Sequence, residues 1–221
     1  MLCAKLQSMS LNEILLESEK LSDWLHYHTN ETEFNNLMLR EKAAICLFQQ
    51  ALDVEDGIRV LLNRNNYLPR AALALARPLF ESYVRGIWLL KTATDDDTDK
   101  FLSGKYYPEF DIPNLAKAIG NDPETGGKWI NEIKESHLKV MHDLTHGGTS
   151  HINSRCFPNT IESNYSEIHL ISLVILGIET KIRTCEELLS MLQKEDALIL
   201  LSEKAENLRN QFQIICPDVS N

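Results

Sequence analysis

The chain has 221 residues and a formal net charge of −10, with 43% hydrophobic residues, 24% charged residues, nine Gly and seven Pro. This composition is typical of a globular protein, and it excludes a collagen, a linker array and a disordered chain. The acidity argues against a protein that coats nucleic acid with its whole surface. The length predicts one domain over residues 1–221.

Three features of the sequence predict a reduced, cytoplasmic protein. Residues 1–10 contain no apolar run of the kind a secretory leader has. The longest apolar run, Leu170–Ile178, is too short to cross a membrane, so we expect no membrane contact. Five scattered cysteines without a C-x-x-C pair indicate buried thiols rather than a disulfide framework or a cysteine-rich zinc site.

Helical periodicity covers the first part of the chain. Ser10–Glu13 reads as a capping box and predicts a helix over about residues 10–28. Apolar residues at helical spacing predict a second helix over about residues 31–64, with a bend near Gly57.

A third helix is expected to begin at Pro69 and to be interrupted by a second proline. Pro78 has no amide hydrogen for the carbonyl of Ala74, so we expect a kink and a freed carbonyl near Arg77.

The rest of the chain also reads as helices joined by loops. We expect a short helix from the acidic run at 95–99 to Leu102, a loop over 106–113, and helices over about 114–119, 127–146, 164–193 and 196–214. Gly147-Gly148 should stop the 127–146 helix, and the 164–193 helix is apolar nearly all round, so it is central or lies in a subunit interface. No β alternation exceeds four residues. The fold class is therefore all-α, with about six to eight helices and strand content near zero.

Charge is concentrated on the segment from Ile58 to Lys91, which has six cations against the single anion Glu81. Within it, Arg77, Glu81 and Arg85 recur every four residues, so they form a stripe along one helix face. Two interpretations remain open. Glu81 could simply neutralise both arginines beside the core, or the two guanidiniums could hold a phosphate or carboxylate while Glu81 orients them.

Histidines are concentrated between His137 and His151, with His142 and His146 one helical turn apart. This spacing could hold a metal, but Asp143 stands where zinc proteases carry Glu, and His151 does not fall at the third ligand position. A His-Asp metal phosphohydrolase would need an earlier His ligand, and no His lies between residues 29 and 136. A histidine that interacts with the negative end of its helix is the structural alternative.

Two motifs resemble those of a known family. The first, at Arg77–Leu89, reads R-P-x-F-E-x-x-V-R-G-x-W-L; the second, from Thr145 to Arg155, reads T-H-x-G-x(6)-R. Over about residues 65–190 they resemble an uncharacterised bacterial family that is similar to the HEPN-like helical proteins (higher eukaryote and prokaryote nucleotide-binding). The HEPN-like core would occupy about residues 31–194. The resemblance implies a helical bundle in which polar residues of two helices meet in one cleft, often at a two-fold dimer interface.

In HEPN ribonucleases a His assists attack by the 2′-hydroxyl and an Arg steadies the phosphate. The resemblance therefore implies catalytic roles for His146, Arg85, Arg77 and Glu81, and ligand contacts from Arg155, His142 and Trp88, with no metal or cofactor. Those ribonucleases carry Arg four to six residues before His, an order absent from this sequence, so the cation would come from the neighbouring helix.

The implied function is binding of RNA or a nucleotide by a homodimer, with metal-independent RNA cleavage of phage-defence or toxin type as its most concrete form. An antitoxin or a defence protein would be the partner. The rival is a non-catalytic helical module that senses a nucleotide or docks a protein. A ribonuclease needs an exposed His with Arg around it, whereas a docking module should bury the same residues as a closed ion-pair network.

Overall fold

The computed structural model describes residues 9–29, 36–63, 67–105, 107–122, 125–148, 156–157, 160–161 and 165–212. They form nine α-helices: α1 (Leu11–Thr29), α2 (Leu39–Leu62), α3 (Pro69–Ala74), α4 (Ala76–Lys91), α5 (Asp95–Leu102), α6 (Ile112–Ile119), α7 (Gly127–His146), α8 (Glu167–Met191) and α9 (Glu195–Gln211). A 3-10 turn at Pro108–Phe110 precedes α6, and Cys156–Phe157 pairs antiparallel with Thr160–Ile161.

The all-α prediction is confirmed. With α3 and α4 counted as the halves of one broken helix, the described residues hold eight helices, and the two short strands are the only β structure among them. None of the helices in the described ranges is long and apolar enough to cross a membrane.

Helix α8 is the centre of the bundle. Its buried residues lie on every side, from Leu170 through Ile178 to Leu189, because α1, α2, α4 and α9 all pack against it. The prediction that this helix is buried is confirmed. The cover comes from helices of the same chain, so a second subunit is not needed to explain the apolar surface of α8.

The start of the second helix was predicted eight residues too early. Helix α2 begins at Leu39, after Met38, whose backbone amide donates to the Glu41 carboxylate at 2.8 Å. Asn36 has a φ of 59°, which is incompatible with a helix there. The carboxylate satisfies an amide that has no partner within the helix, and apolar periodicity does not reveal such a stop. Helix α2 then runs unbroken through Gly57.

The interruption before Pro78 lies one turn earlier than the proline itself. Helix α3 ends at Ala74 and α4 begins at Ala76, with Leu75 at the junction. The proline ring clashes with the carbonyl four residues back, so the break falls near Ala74. The predicted loop over 106–113 is also too long, because the 3-10 turn occupies 108–110 and α6 begins at Ile112.

Candidate functional site

The side chains of Arg77, Glu81 and Arg85 form one continuous ion-paired row on α4. Arg77 Nε donates to Glu81 Oε1 at 2.6 Å, and Arg85 Nη1 lies 3.2 Å from Glu81 Oε2. A single carboxylate thus serves two guanidiniums. The side chains of Arg77 and Arg85 remain 26% and 33% exposed, so the row is not sealed into the core.

Two histidines of α7 meet this row. Arg77 Nη1 contacts His142 Nδ1 and lies 3.3 Å from His146 Nε2, and the two imidazole centroids are 4.5 Å apart. Both histidines are exposed. We call these five side chains, Arg77, Glu81, Arg85, His142 and His146, the α4–α7 cluster.

The contacts with Arg77 favour one tautomer of each imidazole. A guanidinium nitrogen can only donate, so His142 Nδ1 and His146 Nε2 must both accept. An imidazole that accepts from Arg77 in this way has its N–H on the other ring nitrogen, Nε2 of His142 and Nδ1 of His146. In this arrangement the cluster offers N–H donors to a ligand, while both imidazole lone pairs point at Arg77.

The local backbone explains why α7 meets α4 at this point. The Thr145 hydroxyl lies 3.2 Å from the carbonyl oxygen of Ala74, the carbonyl that Pro78 leaves without a helical donor. Helix α7 ends at His146, the residue after Thr145. The next residue, Gly147, adopts a φ of 72°, and the amide of Gly148 donates to the Asp143 carbonyl at 2.8 Å. The predicted stop at Gly147-Gly148 is therefore confirmed, and His146 lies on the last turn of the helix.

The other predicted ligand contacts lie elsewhere or outside the described residues. Trp88 is only 5% exposed and packs against the rings of Phe101 and Phe110, at centroid distances of 5.8 Å and 5.1 Å. Arg155 falls outside the described residues, so its predicted ligand contact remains a prediction.

The described histidines of this segment are His137, His142 and His146. His137 is half-buried on α7, where desolvation lowers the pKa of its imidazole. His151 lies outside the described residues. Within the described ranges, no group of three His, Cys, Asp or Glu side chains could hold a metal ion.

Sequence reasoning found all five members of the cluster but missed Thr145 as a contact between the two motifs. The available signal was Pro78, which predicts a free carbonyl at Ala74. Periodicity could not show which hydroxyl group would reach that carbonyl.

Part of the chain is similar to a curated mouse protein. The chain is 31% identical over 138 residues to tetratricopeptide repeat protein 29 of Mus musculus. The match covers 55% of this chain and 29% of that protein, so the chain spans less than a third of the relative's length. No solved structure matches the chain.

A family model matches residues 48–175, more than half of the chain. The matched segment contains the whole α4–α7 cluster, together with both motifs at Arg77–Leu89 and Thr145–Arg155. The chain therefore belongs to the family of unknown function DUF6988.

Proposed function

We propose that the α4–α7 cluster binds a phosphate group of RNA or of a nucleotide. The observation that carries this proposal is the position of Arg77, which contacts two exposed imidazoles beside a second, partly exposed arginine. The outward-facing groups of the cluster are then N–H donors, the groups that hydrogen-bond phosphate oxygens.

The charge of the cluster favours an anion as the ligand. Two guanidiniums and one carboxylate leave a local charge of +1 when both imidazoles are neutral. A closed structural network would match each cation with an anion, as Lys91 is matched by Glu187 of α8 at 2.7 Å. Here Glu81 is shared, so each arginine keeps donors for a ligand.

Metal-independent RNA cleavage is the catalytic form of this proposal, and the resemblance to HEPN ribonucleases supports it. Once Arg77 turns towards a bound phosphate, His146 Nε2 is released and can accept the proton of the 2′-hydroxyl. The 2′-oxygen then attacks phosphorus and the 5′-oxygen leaves, giving a cyclic phosphate and a free 5′-hydroxyl. Arg77 and Arg85 would stabilise the charge on the phosphate, with Glu81 holding both in place.

The separation of the two histidines restricts this chemistry. Rings with centroids 4.5 Å apart are in contact, so they cannot stand on opposite sides of one phosphate. We therefore assign the base role to one imidazole only, and the leaving oxygen would take its proton from water.

The rival function is a non-catalytic helical module that senses a nucleotide or docks a protein. It draws support from the partial similarity to a mouse tetratricopeptide repeat protein. The exposure of both histidines counts against a module that buries the cluster in a closed network.

The test is binding of a fluorescent single-stranded RNA, competed with inorganic phosphate, by wild type and by the variants Arg85→Ala and His146→Ala. Loss of one charge-assisted hydrogen bond should weaken binding about 10-fold or more. Lys20→Ala is the charge-matched control, because Lys20 lies on α1 and pairs with Glu17. Equal binding by all variants, or none by wild type, would overturn the proposal.

The same samples decide between enzyme and module. RNA cleavage in excess EDTA that disappears in His146→Ala, with the melting temperature within a few degrees of wild type, identifies the enzyme. Binding without cleavage leaves the sensing module. A large fall in the melting temperature of the two variants, together with neither binding nor cleavage by wild type, identifies a structural network.

The remaining expectations come from the resemblance to HEPN-like proteins. We propose that the chain is a cytoplasmic homodimer that works with an antitoxin or another defence protein. Light scattering at micromolar concentration measures the assembly directly, and the mass of a single chain would reject the dimer.

A further inference from the structure

The carbonyl of Ala74, the last residue of α3, accepts a hydrogen bond from a side chain of α7. Pro78, four residues later, has no amide hydrogen to donate to it. The Thr145 hydroxyl of α7 reaches it at 3.2 Å and also lies 2.8 Å from the carbonyl of Met141, one turn back in its own helix. Since a hydroxyl has one hydrogen, that hydrogen is shared between the two carbonyls.

The bond to Met141 alone would be unremarkable. Thr180, for example, makes the same contact to the Leu176 carbonyl on α8 at 2.8 Å. Such local bonds do not fix one helix against another. The second acceptor is what sets Thr145 apart, because it belongs to the break between α3 and α4.

Thr145 is adjacent to His146 and three residues after His142, and Ala74 is three residues before Arg77. A bond between Thr145 and Ala74 therefore fixes the position of the two imidazoles along α4. A shift of α7 by even part of a turn would separate His142 Nδ1 and His146 Nε2 from Arg77.

We infer that Thr145 is a positioning residue, whose hydroxyl uses the carbonyl freed by Pro78 to hold His142 and His146 against Arg77. This geometric inference stands without a ligand. Only its effect on phosphate affinity rests on the proposed function.

A double-mutant cycle between Thr145→Val and Pro78→Ala tests the inference. Alanine at position 78 restores the amide that bonds the Ala74 carbonyl in a regular helix. In the Pro78 background, Thr145→Val should raise the unfolding equilibrium constant in urea about fivefold, because a partly buried carbonyl loses its donor. With alanine at position 78, the factor by which Thr145→Val raises the unfolding equilibrium constant should be about threefold smaller.

Thr180→Val is the matched control, since it removes a hydroxyl that serves only its own helix. Its cost should be the same with either residue at position 78. Thr145→Ser keeps the hydroxyl and should restore the wild-type behaviour, which keeps the inference testable if Pro78→Ala does not fold.

Nitrogen NMR of labelled histidine gives the readout that a merely structural threonine would not change. Wild type should show His142 protonated at Nε2 and His146 at Nδ1, and Thr145→Val should lose this pairing of tautomers while Thr145→Ser keeps it. Equal cost of Thr145→Val in both backgrounds, or unchanged histidine spectra, would overturn the inference. If the cycle and the spectra hold but phosphate and RNA do not bind, the proposed function fails and the positioning role remains.

Discussion

At the residue scale, the core of the protein contains a charged pair that sequence periodicity does not reveal. Lys181 of α8 contacts Glu55 of α2, and each side chain is 2% exposed. Ser18 of α1 donates to Glu55 Oε1 at 2.5 Å, so three helices meet at one carboxylate. Gly177 leaves room for it, because a Cβ there would lie 2.9 Å from Glu55 Cγ. The pair satisfies buried charges that would otherwise be costly.

Removal of one partner should therefore be severe. Lys181→Met leaves Glu55 buried without its cation, and we expect a loss of about 3–5 kcal/mol in the free energy of unfolding. Lys91→Met is the control, because the Lys91 side chain is 33% exposed where it pairs with Glu187, and its loss should cost about 1 kcal/mol or less. Urea unfolding measures both losses. Equal losses would show that the buried pair contributes no more to the free energy of unfolding than the exposed pair.

The Glu186 carboxyl gives a pH-dependent prediction. Burial raises its pKa, against the opposing effect of Arg183 and Arg209. The folded state thus favours the protonated acid, and stability falls as pH rises from the ordinary glutamate value through this raised value. Glu186→Gln should be more stable than wild type at neutral pH, and the gain should vanish below about pH 4 in urea titrations at several pH values.

Glu13→Gln should behave in the opposite way. The backbone amide and hydroxyl of Ser10 lower the pKa of the Glu13 carboxyl. This residue contributes stability above the ordinary glutamate value that is lost as pH falls, so its variant should be less stable at neutral pH, with the difference shrinking in acid. Parallel pH profiles for the two variants would contradict both assignments.

At the element scale, the most extensive contact between two helices of the described residues is that of α4 with α2. Gly86 of α4 lies against the ring of Phe48, and a Cβ at this position would overlap the ring atoms. The first motif therefore carries a glycine where α4 must come close to its neighbour. Conformational freedom is not the reason, since Gly86 lies in the interior of a regular helix.

Two glycine-to-alanine variants should have opposite effects. Gly86→Ala overpacks the contact between α2 and α4 and should cost about 1–3 kcal/mol or more of unfolding free energy. Gly57→Ala, in the interior of α2, places its Cβ at an ordinary 3.5 Å from Leu75 Cδ1 and should gain roughly 0.5–1 kcal/mol from helix propensity. Thermal or urea unfolding tests the pair, and a stable Gly86→Ala would show that Phe48 can move aside.

The elements show which features a sequence can predict. Helix ends that depend on a particular residue type were predicted closely, such as the stop at Gly147-Gly148. The start of α5 is a second example, where the Thr94 side chain accepts from the Asp97 amide at 3.2 Å. The start of α2 was misplaced because Glu41 binds an amide of a non-helical residue. The donor for Ala74 and the partner of Lys181 could not be predicted, since each depends on which distant helix becomes a neighbour.

At the scale of the whole molecule, the buried residues form one hydrophobic cluster. It extends from Leu11 at the start of α1 to Phe212 after α9, and it includes the T-shaped contact between Tyr83 and Trp129. Every α-helix of the described residues except α5 contributes an apolar side chain to the buried core. Such a core favours a single cooperative unfolding transition.

The three tryptophans lie on three different helices, Trp24 on α1, Trp88 on α4 and Trp129 on α7. We therefore expect the midpoint of urea unfolding by tryptophan emission to coincide with the midpoint by far-ultraviolet circular dichroism. The agreement should persist in Trp24→Phe, which removes the reporter on α1. An earlier emission change that disappears in Trp24→Phe would show that α1 detaches before the rest.

The packing of other helices around α8 also has a consequence during synthesis of the chain. Helix α1 is held to α8 by contacts between residues far apart in the chain, such as the Leu11 amide with Glu167 Oε1 at 3.2 Å and Ser22 with Lys181. On the ribosome α1 emerges before its main partner α8, which follows some 150 residues later. Until then Ile14, Leu21 and Leu25 have no α8 to cover them, so a nascent chain stalled before α8 exposes apolar surface that favours aggregation.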